Sequence, residues 1–438
     1  MNKTISQAHR LAIIFSIVFA GEIIFSLPFH VARFFRPTLL DVFELTNTQL
    51  GDVFGLYGLM AMLAYFPGGA IADRFSGRDL MCFSLIATAL GGIYFVQIPG
   101  EYGLAALYAY WGITTILLFW ASLIKVTRQW GGETSQGKAF GVLDGGRGLI
   151  AAGVANISVF ILSKSMPINI EVITRADQID GLTSVIIFYS ILTLLAAVLL
   201  RVVIPNDLPT PSQEIETKSK FDFISGAKEM FQNRSVWLQA FIVLAAYCAY
   251  KSIDYFGLYA TNVLGLTELQ SASLVTNASY IRPIAAIIAG IIADRIHTDR
   301  VISFGFLLLA LCYLCFTLFN NASANYLLEI NVIVTFFLVF ALRSVYFALL
   351  AESKLAGRVT GTAVGMISVI GFTPDIFFAP IAGRILDAAP GAQGFHNLFM
   401  LMGAIAILGW IFARMLLRQR LKNKSIIQQS LCEEAQID

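Results

Sequence analysis

Apolar stretches of helix-spanning length recur along the chain, separated by breaks rich in charges, glycines or prolines. A helix crossing a membrane needs about 20 apolar residues. The pattern predicts twelve such helices, near 11–35, 47–72, 79–98, 103–127, 138–163 and 183–204, then 236–262, 269–293, 300–319, 326–350, 359–385 and 395–417. One interior break is long. Residues 205–235 are polar, with Pro209, Pro211, Lys218, Lys220 and Lys228, and separate six predicted helices in 1–204 from six in 236–438. Within this linker, Phe221 to Phe231 has the amphipathic pattern of a helix lying on the membrane surface. The first apolar run follows Lys3 and Arg10, as a signal peptide would. It nevertheless contains Glu22, lacks a small-x-small cleavage site and continues to about Phe35, so it is expected to be a retained first helix.

Composition agrees with the bilayer as solvent. Of 438 residues, 57% are hydrophobic and 13% charged, with a mean hydropathy of +0.74. Soluble domains carry about 25% charge, so an ordinary soluble enzyme is excluded, and the 35 Phe exclude disorder. A net charge of +2 gives no nucleic-acid signature. The five cysteines lack zinc spacing and the four histidines are scattered, so neither a metal nor a cofactor is expected. No His-Glu-x-x-His or Gly-x-Ser-x-Gly motif argues for enzyme chemistry. Asp144-Gly145-Gly146-Arg147-Gly148 lacks the Lys-Ser/Thr ending and preceding strand of a nucleotide cradle. Its glycines suit close packing or bending of the fifth helix, as Gly371, Pro374, Pro380 and Gly383 would loosen the eleventh.

Lys and Arg collect on one side: the N-terminus, Arg74, Arg78, Arg128, Lys138, the linker lysines, Arg295, Arg300, Lys354, Arg358 and the tail from Arg414 to Lys424. The opposite loops hold mainly Arg36, Lys164, Arg175 and Arg384, mixed with Asp41, Glu44, Glu101, Glu171, Asp177 and Asp180. The positive-inside bias then places both termini in the cytoplasm.

The halves also repeat. Gly69-Ala70-Ile71-Ala72-Asp73-Arg74 follows the second predicted helix, and Gly290-Ile291-Ile292-Ala293-Asp294-Arg295 follows the eighth. Lys125, Glu133 and Gly141 recur at nearly the same offset as Arg343, Glu352 and Gly361. Two parallel six-helix repeats are a transporter architecture with a solute site near the midplane.

Ionisable groups inside a span are costly and normally face a bundle interior or a watery cavity. The first helix carries Glu22, His30 and Arg33, with Glu22 and Arg33 close to three turns apart and so on one face. The seventh carries Lys251 and Asp254. Lys125, Asp144, Arg147, Arg282, Arg343 and Asp375 lie in the fourth, fifth, fifth, eighth, tenth and eleventh. Asp144 with Arg147, and Lys251 with Asp254, could each neutralise internally at i,i+3. Cations still exceed anions, which suits an anionic guest. Glu22, Asp254 and Asp375 are candidates for proton coupling, or for simple neutralisation of Arg33 and Lys251. Tyr250 and Tyr255 could line the passage.

The Gly69-x-x-x-Asp73-Arg74 loop with Arg78, and its echo at Gly290, Asp294, Arg295 and Arg300, resembles the major facilitator superfamily. Ser76 stands where the usual pattern has glycine, and Gly77 follows one later. That departure is more similar to the organic-anion and sugar-phosphate antiporter branches than to drug antiporters. The resemblance implies an all-α fold of twelve transmembrane helices in two six-helix bundles related by a pseudo-twofold axis. It also implies a gating role for Gly69, Asp73, Arg74, Arg78, Asp294, Arg295, Asp144, Arg147, Glu133 and Glu352. In the sugar-phosphate antiporters, a basic residue from each of helices 1 and 7 holds the substrate anion. Here His30 or Arg33, with Lys251, match those places. Lys125, Arg343, Tyr250 and Tyr255 are further substrate-binding candidates. The expected protein is a monomeric secondary transporter in a bacterial inner membrane, moving a small organic anion on a proton or counter-solute gradient. Alternatives are proton-coupled uptake of a neutral or zwitterionic nutrient, such as an amino acid or sugar, and drug efflux.

Overall fold

The computed structural model describes residues 6–132, 136–166, 173–205, 232–319, 325–346, 349 and 367–434. Glu133, Glu352, nearly all of the 205–235 linker, Lys354 and Arg358 lie outside the described residues. Among those described, ten helices are long and apolar enough to cross a membrane, and two bent helix pairs bring the number to twelve. The element order matches the predicted spans, with boundary differences that have local causes. The sixth span starts at Arg175, earlier than predicted, because Thr174 and Asp177 form a reciprocal capping box there. The last helix, Ala392–Glu434, runs well past the apolar segment.

The first predicted helix is broken. Gln7–Ile23 is followed by a π turn at Ser26–His30 and a short helix, Val31–Phe34, with a 43° bend between them. Pro28 cannot donate its backbone nitrogen, which favours the break. The Ser26 hydroxyl donates to the Ile23 carbonyl at 2.7 Å, satisfying an acceptor beside the bend. A further helix, Arg36–Phe43, precedes the second span. That span, Asn47–Arg74, starts on a Thr46–Gln49 capping box and bends by 50° at Pro67.

Compactness divides the chain into two units. The first comprises Met1–Lys220, Ile253–Pro283 and Asp375–Leu398; the second comprises Phe221–Ser252, Ile284–Pro374 and Phe399–Asp438. In the first unit, the Asn47 end of the second span is closed against pieces that come from far along the sequence. Gly51, Gly55 and Gly58 form a small-residue stripe, and a Cβ on any of them would collide with the backbone of Ala379, the Ile376 carbonyl or the Asp375 carbonyl. Gly383 sits in the same way on Asn47. Backbones approach this closely in membranes only where small residues permit it. Gly69, expected to provide such an approach, has nothing within 4 Å of a built Cβ; its neighbour Gly68 does, lying 2.6 Å from the Leu117 carbonyl on the same test.

In the second unit, Tyr247 packs edge-on against Phe372 with centroids 4.9 Å apart, and Ser252 shares a 3.0 Å hydrogen bond with Tyr313. Gly371 meets Val243, so the eleventh span's glycine serves close packing here.

Gly58→Ala should cost about 1–3 kcal/mol through overpacking against the Asp375 carbonyl, and lower the thermal midpoint of the detergent-solubilised protein. Gly69→Ala, a helix-interior glycine with open space, should leave that midpoint unchanged or raise it. Equal effects from the two substitutions would contradict the stripe.

Candidate functional site

In a straight α-helix, residues eight apart are separated by about 12 Å along the axis. The bend at Ser26–His30 shortens this path, and His30 Nε2 lies 3.1 Å from Glu22 Oε1. Both side chains are buried, Glu22 at 4% exposure. Arg147 Nε donates to the other oxygen of Glu22 at 2.9 Å, and Arg282 Nη1 stands 3.9 Å from Oε1. Arg282 Nη2 in turn donates to Asp144 at 3.0 Å. The Arg147 guanidinium also lies 5.6 Å from the Phe25 ring centroid and 5.8 Å from that of Trp120.

The glycine run of the fifth span positions these groups. A Cβ on Gly146 would strike Val18 at 2.7 Å, so its absence lets the first and fifth spans approach and brings Arg147 to Glu22. A Cβ on Gly148 would strike the Arg282 stem at 2.8 Å, so this glycine makes room for that arginine. Gly145 faces open space.

Arg33 and Glu22 were expected to share a face. The π turn falls between them, and they engage different partners: Arg33 Nε donates to Asp254 Oδ1 at 2.5 Å, with both groups buried. The i,i+3 neighbours Asp144 and Arg147 likewise each have a partner from another span. Lys251 is buried at 4% exposure, at the end of Arg234–Ser252. In the second unit the Arg343 guanidinium lies 3.8 Å from the Tyr250 ring centroid. The Tyr255 hydroxyl donates to the Ala379 carbonyl at 3.3 Å. Asp375 is half-buried.

Lys125 is at the Gly69–Arg78 loop. Its ammonium donates to the carbonyls of Ala72 at 2.6 Å and Phe75 at 3.3 Å, closing the C-terminus of the second span, where a cation is favoured. Asp73, Arg74, Asp294 and Arg295 are exposed. Arg78 is buried and donates to the Ile204 carbonyl at 3.2 Å and to Asp79 at 2.8 Å.

Several residues were not singled out from the sequence. Asp387 accepts from the Asn47 backbone at 3.1 Å, the Asn47 side chain at 3.2 Å and the Thr48 backbone at 2.6 Å, capping the second span's N-terminus. Arg384, expected only as a loop charge, grips Asp52 with two bonds of 2.7 and 3.1 Å. Glu268 accepts from Thr38 and from Gln178. Arg36, expected to be a loop charge, is fully buried with its guanidinium 4.2 Å from the Tyr255 ring centroid. The available signal was Pro37: proline suits a first helical turn, so the chain re-enters a helix at Arg36 instead of looping into water.

Glu22→Gln should leave Arg147 and Arg282 without their shared counter-charge and destabilise by about 3–5 kcal/mol. The double variant Glu22→Gln, Arg147→Met should lose less than the sum of the two single losses, measured by thermal unfolding. Strict additivity would show that the two groups are not coupled.

A profile of the Major Facilitator Superfamily matches residues 11–374. The chain is 26% identical over 408 residues to the inner membrane protein YihN of Escherichia coli (strain K12), covering 92% of this chain and 94% of that one. It is 27% identical over 413 residues to the inner membrane protein YqcE of the same organism, covering 93% and 94%. A bacterial homolog of the human lysosomal transporter Spinster, solved inward-facing and unoccupied, superimposes with a TM-score of 0.71 at 13% identity, covering 96% of this chain and 99% of that one. The nucleoside transporter NupG gives a TM-score of 0.66 at 13% identity, covering 93% and 99%. At that identity the solved structures speak for the fold alone. With the profile covering residues 11–374 and both relatives matched along nearly their whole length, the chain belongs to the Major Facilitator Superfamily, as a multi-pass membrane transporter and not an enzyme.

Proposed function

We propose that the protein is a secondary active transporter that moves a small organic anion by alternating access, driven by a proton gradient or a counter-solute. It acts as a monomer in a bacterial inner membrane, with both termini and the 205–235 linker cytoplasmic, and with 1–204 and 236–438 as its two bundles. The observation that carries the anion reading is interior charge. Among the described residues, Arg33, Arg36, Arg78, Arg147, Lys251 and Arg282 are buried, six cations, against three buried carboxylates, Glu22, Asp254 and Asp299. Arg78 and Arg282 meet part of that excess by pairing with the more exposed Asp79 and Asp144; an anion would answer the remainder, and a cationic drug would add to it.

His30, Arg33, Lys251, Arg343, Tyr250 and Tyr255 are the proposed substrate-facing groups. Lys125 instead joins Gly69, Asp73, Arg74 and Arg78 as part of the gating loop, since its ammonium already serves the helix end. An anion reaching Arg33 has Asp254 to displace. Glu22 and Asp254 suit coupling on the same grounds: a proton on either carboxylate weakens its hold on an arginine and frees that cation for substrate.

Two measurements test this reading. In thermal-shift screens of purified protein against anionic, zwitterionic and cationic libraries, an anion should stabilise the wild type and lose its effect in Lys251→Ala or Arg33→Ala. Stabilisation by neutral or cationic compounds alone would sink the anion assignment. Once a substrate is in hand, Asp73→Asn should slow transport in proteoliposomes while leaving binding affinity within a few-fold; collapsed affinity with normal exchange would reverse the gating assignment.

A further inference from the structure

Arg36 differs from the other buried arginines of the first unit. Arg33 has Asp254, Arg147 has Glu22, Arg282 has Asp144, and Arg78 has Asp79. Arg36 has 0% exposure, and among the described residues no carboxylate forms an ion pair with it. Its Nε has no hydrogen-bond partner, and its Nη2 reaches the Asn47 side-chain oxygen only at 3.5 Å. What faces the charge is Tyr255, whose ring centroid is 4.2 Å from the guanidinium carbon and whose hydroxyl also interacts with it. The Tyr108 hydroxyl, fully buried and also without a hydrogen-bond partner, has Arg36 and Asp254 as its charged neighbours.

A guanidinium presents five donors in a planar fork suited to carboxylate, sulfonate or phosphate oxygens. Burying it against a ring without a directly paired carboxylate is costly, and fold packing alone would be better served by an apolar side chain. The cost makes sense if the charge meets an anion in another state of the transporter. Its position fits that state. Arg36 touches Asn47, and Asn47 and Thr48 are the residues that Asp387 holds. Breaking that latch would free Asn47, the residue whose side chain contacts the guanidinium. The surface cleft beside it, about 440 Å³, is lined by Pro37 and Leu258 but also by Asp41 and Glu268, which repel an anion. The approach to Arg36 therefore runs through the closure and not through the cleft.

We infer that Arg36 is an anion-recognition residue at the Asn47 end of the transport path, binding a small anion through its guanidinium with the Tyr108 hydroxyl as a second donor once the Asp387 latch opens. This rests on the anion reading above and adds to it a specific residue that the His30, Arg33 and Lys251 assignment does not contain. When the path closes empty, the Tyr255 ring stands in for the guest through a cation–π contact.

The test uses full-length protein in lipid nanodiscs, with glycerol 3-phosphate, methanesulfonate and lactate as probes and glycerol as the uncharged control. Thermal unfolding is followed against probe concentration for wild type, Arg36→Gln, Arg36→Lys and Tyr108→Phe. At least one anion should stabilise the wild type, with an apparent affinity lowered about tenfold or more in Arg36→Gln and by a smaller factor in Arg36→Lys. Tyr108→Phe should weaken the anion a few-fold without moving the ligand-free midpoint, since its hydroxyl makes no hydrogen bond in the closed form. If Arg36→Gln does not fold, Arg36→Lys and Tyr108→Phe decide alone. An anion that stabilises the wild type and these variants with equal affinity overturns the Arg36 assignment while leaving the anion reading intact. No stabilisation of the wild type by any of the three anions overturns both.

Discussion

Glu22 lies almost out of reach of solvent, and its two oxygens are shared among His30, Arg147 and Arg282. Removing a carboxylate from water costs several kcal/mol, and only well-placed cations offset this. Much of the first unit's local geometry follows from that requirement. The π turn brings His30 back to a carboxylate two helical turns earlier. Gly146 lets the fifth span approach the first at Val18, and Gly148 clears the stem of Arg282. Replace either glycine with a larger residue and the carboxylate loses a cation, although neither glycine carries any polar side-chain atom.

The twelve spans were legible because a bilayer demands continuous apolar runs, and that demand is written residue by residue. The charged residues were legible as exceptions to it. Their partners were not. Asp144 and Arg147 lie three apart and looked able to neutralise each other, yet each has a partner from a different span. Helical periodicity put Glu22 and Arg33 on one face, but the count holds only while the helix is regular, and Pro28 interrupts it. Arg36 was misplaced for the opposite reason: a charge between Phe35 and Pro37 looked like the end of a span, whereas a new helix starts there and buries it. Pairing between distant segments, such as Asp387 with Thr48, leaves no periodic trace in the sequence at all.

The two kinds of polar contact in the first unit differ in what they cost to break. The Arg384–Asp52 pair is about half exposed on both sides, and pairs of that kind contribute about 0–1 kcal/mol. Asp387 on the start of the second span is worth about as much as an ordinary helix cap, roughly 0.5–2 kcal/mol. The Glu22 centre is buried, and breaking one of its pairs costs about 3–5 kcal/mol. A transporter has to open and reclose one end many times while keeping its interior charges accounted for. The weak, water-accessible contacts are at the Asn47 end, where an opening would exchange them for hydration at little loss. The strong contacts join the first, fifth and eighth spans deep inside, where nothing but another ion could replace them. On the proposed anion reading, an arriving anion takes over an arginine from Glu22 or Asp254 when the released carboxylate takes up a proton, so that neither the carboxylate nor the arginine is left as an unpaired charge in the membrane. This exchange of counter-charge would loosen contacts that are costly to break outright.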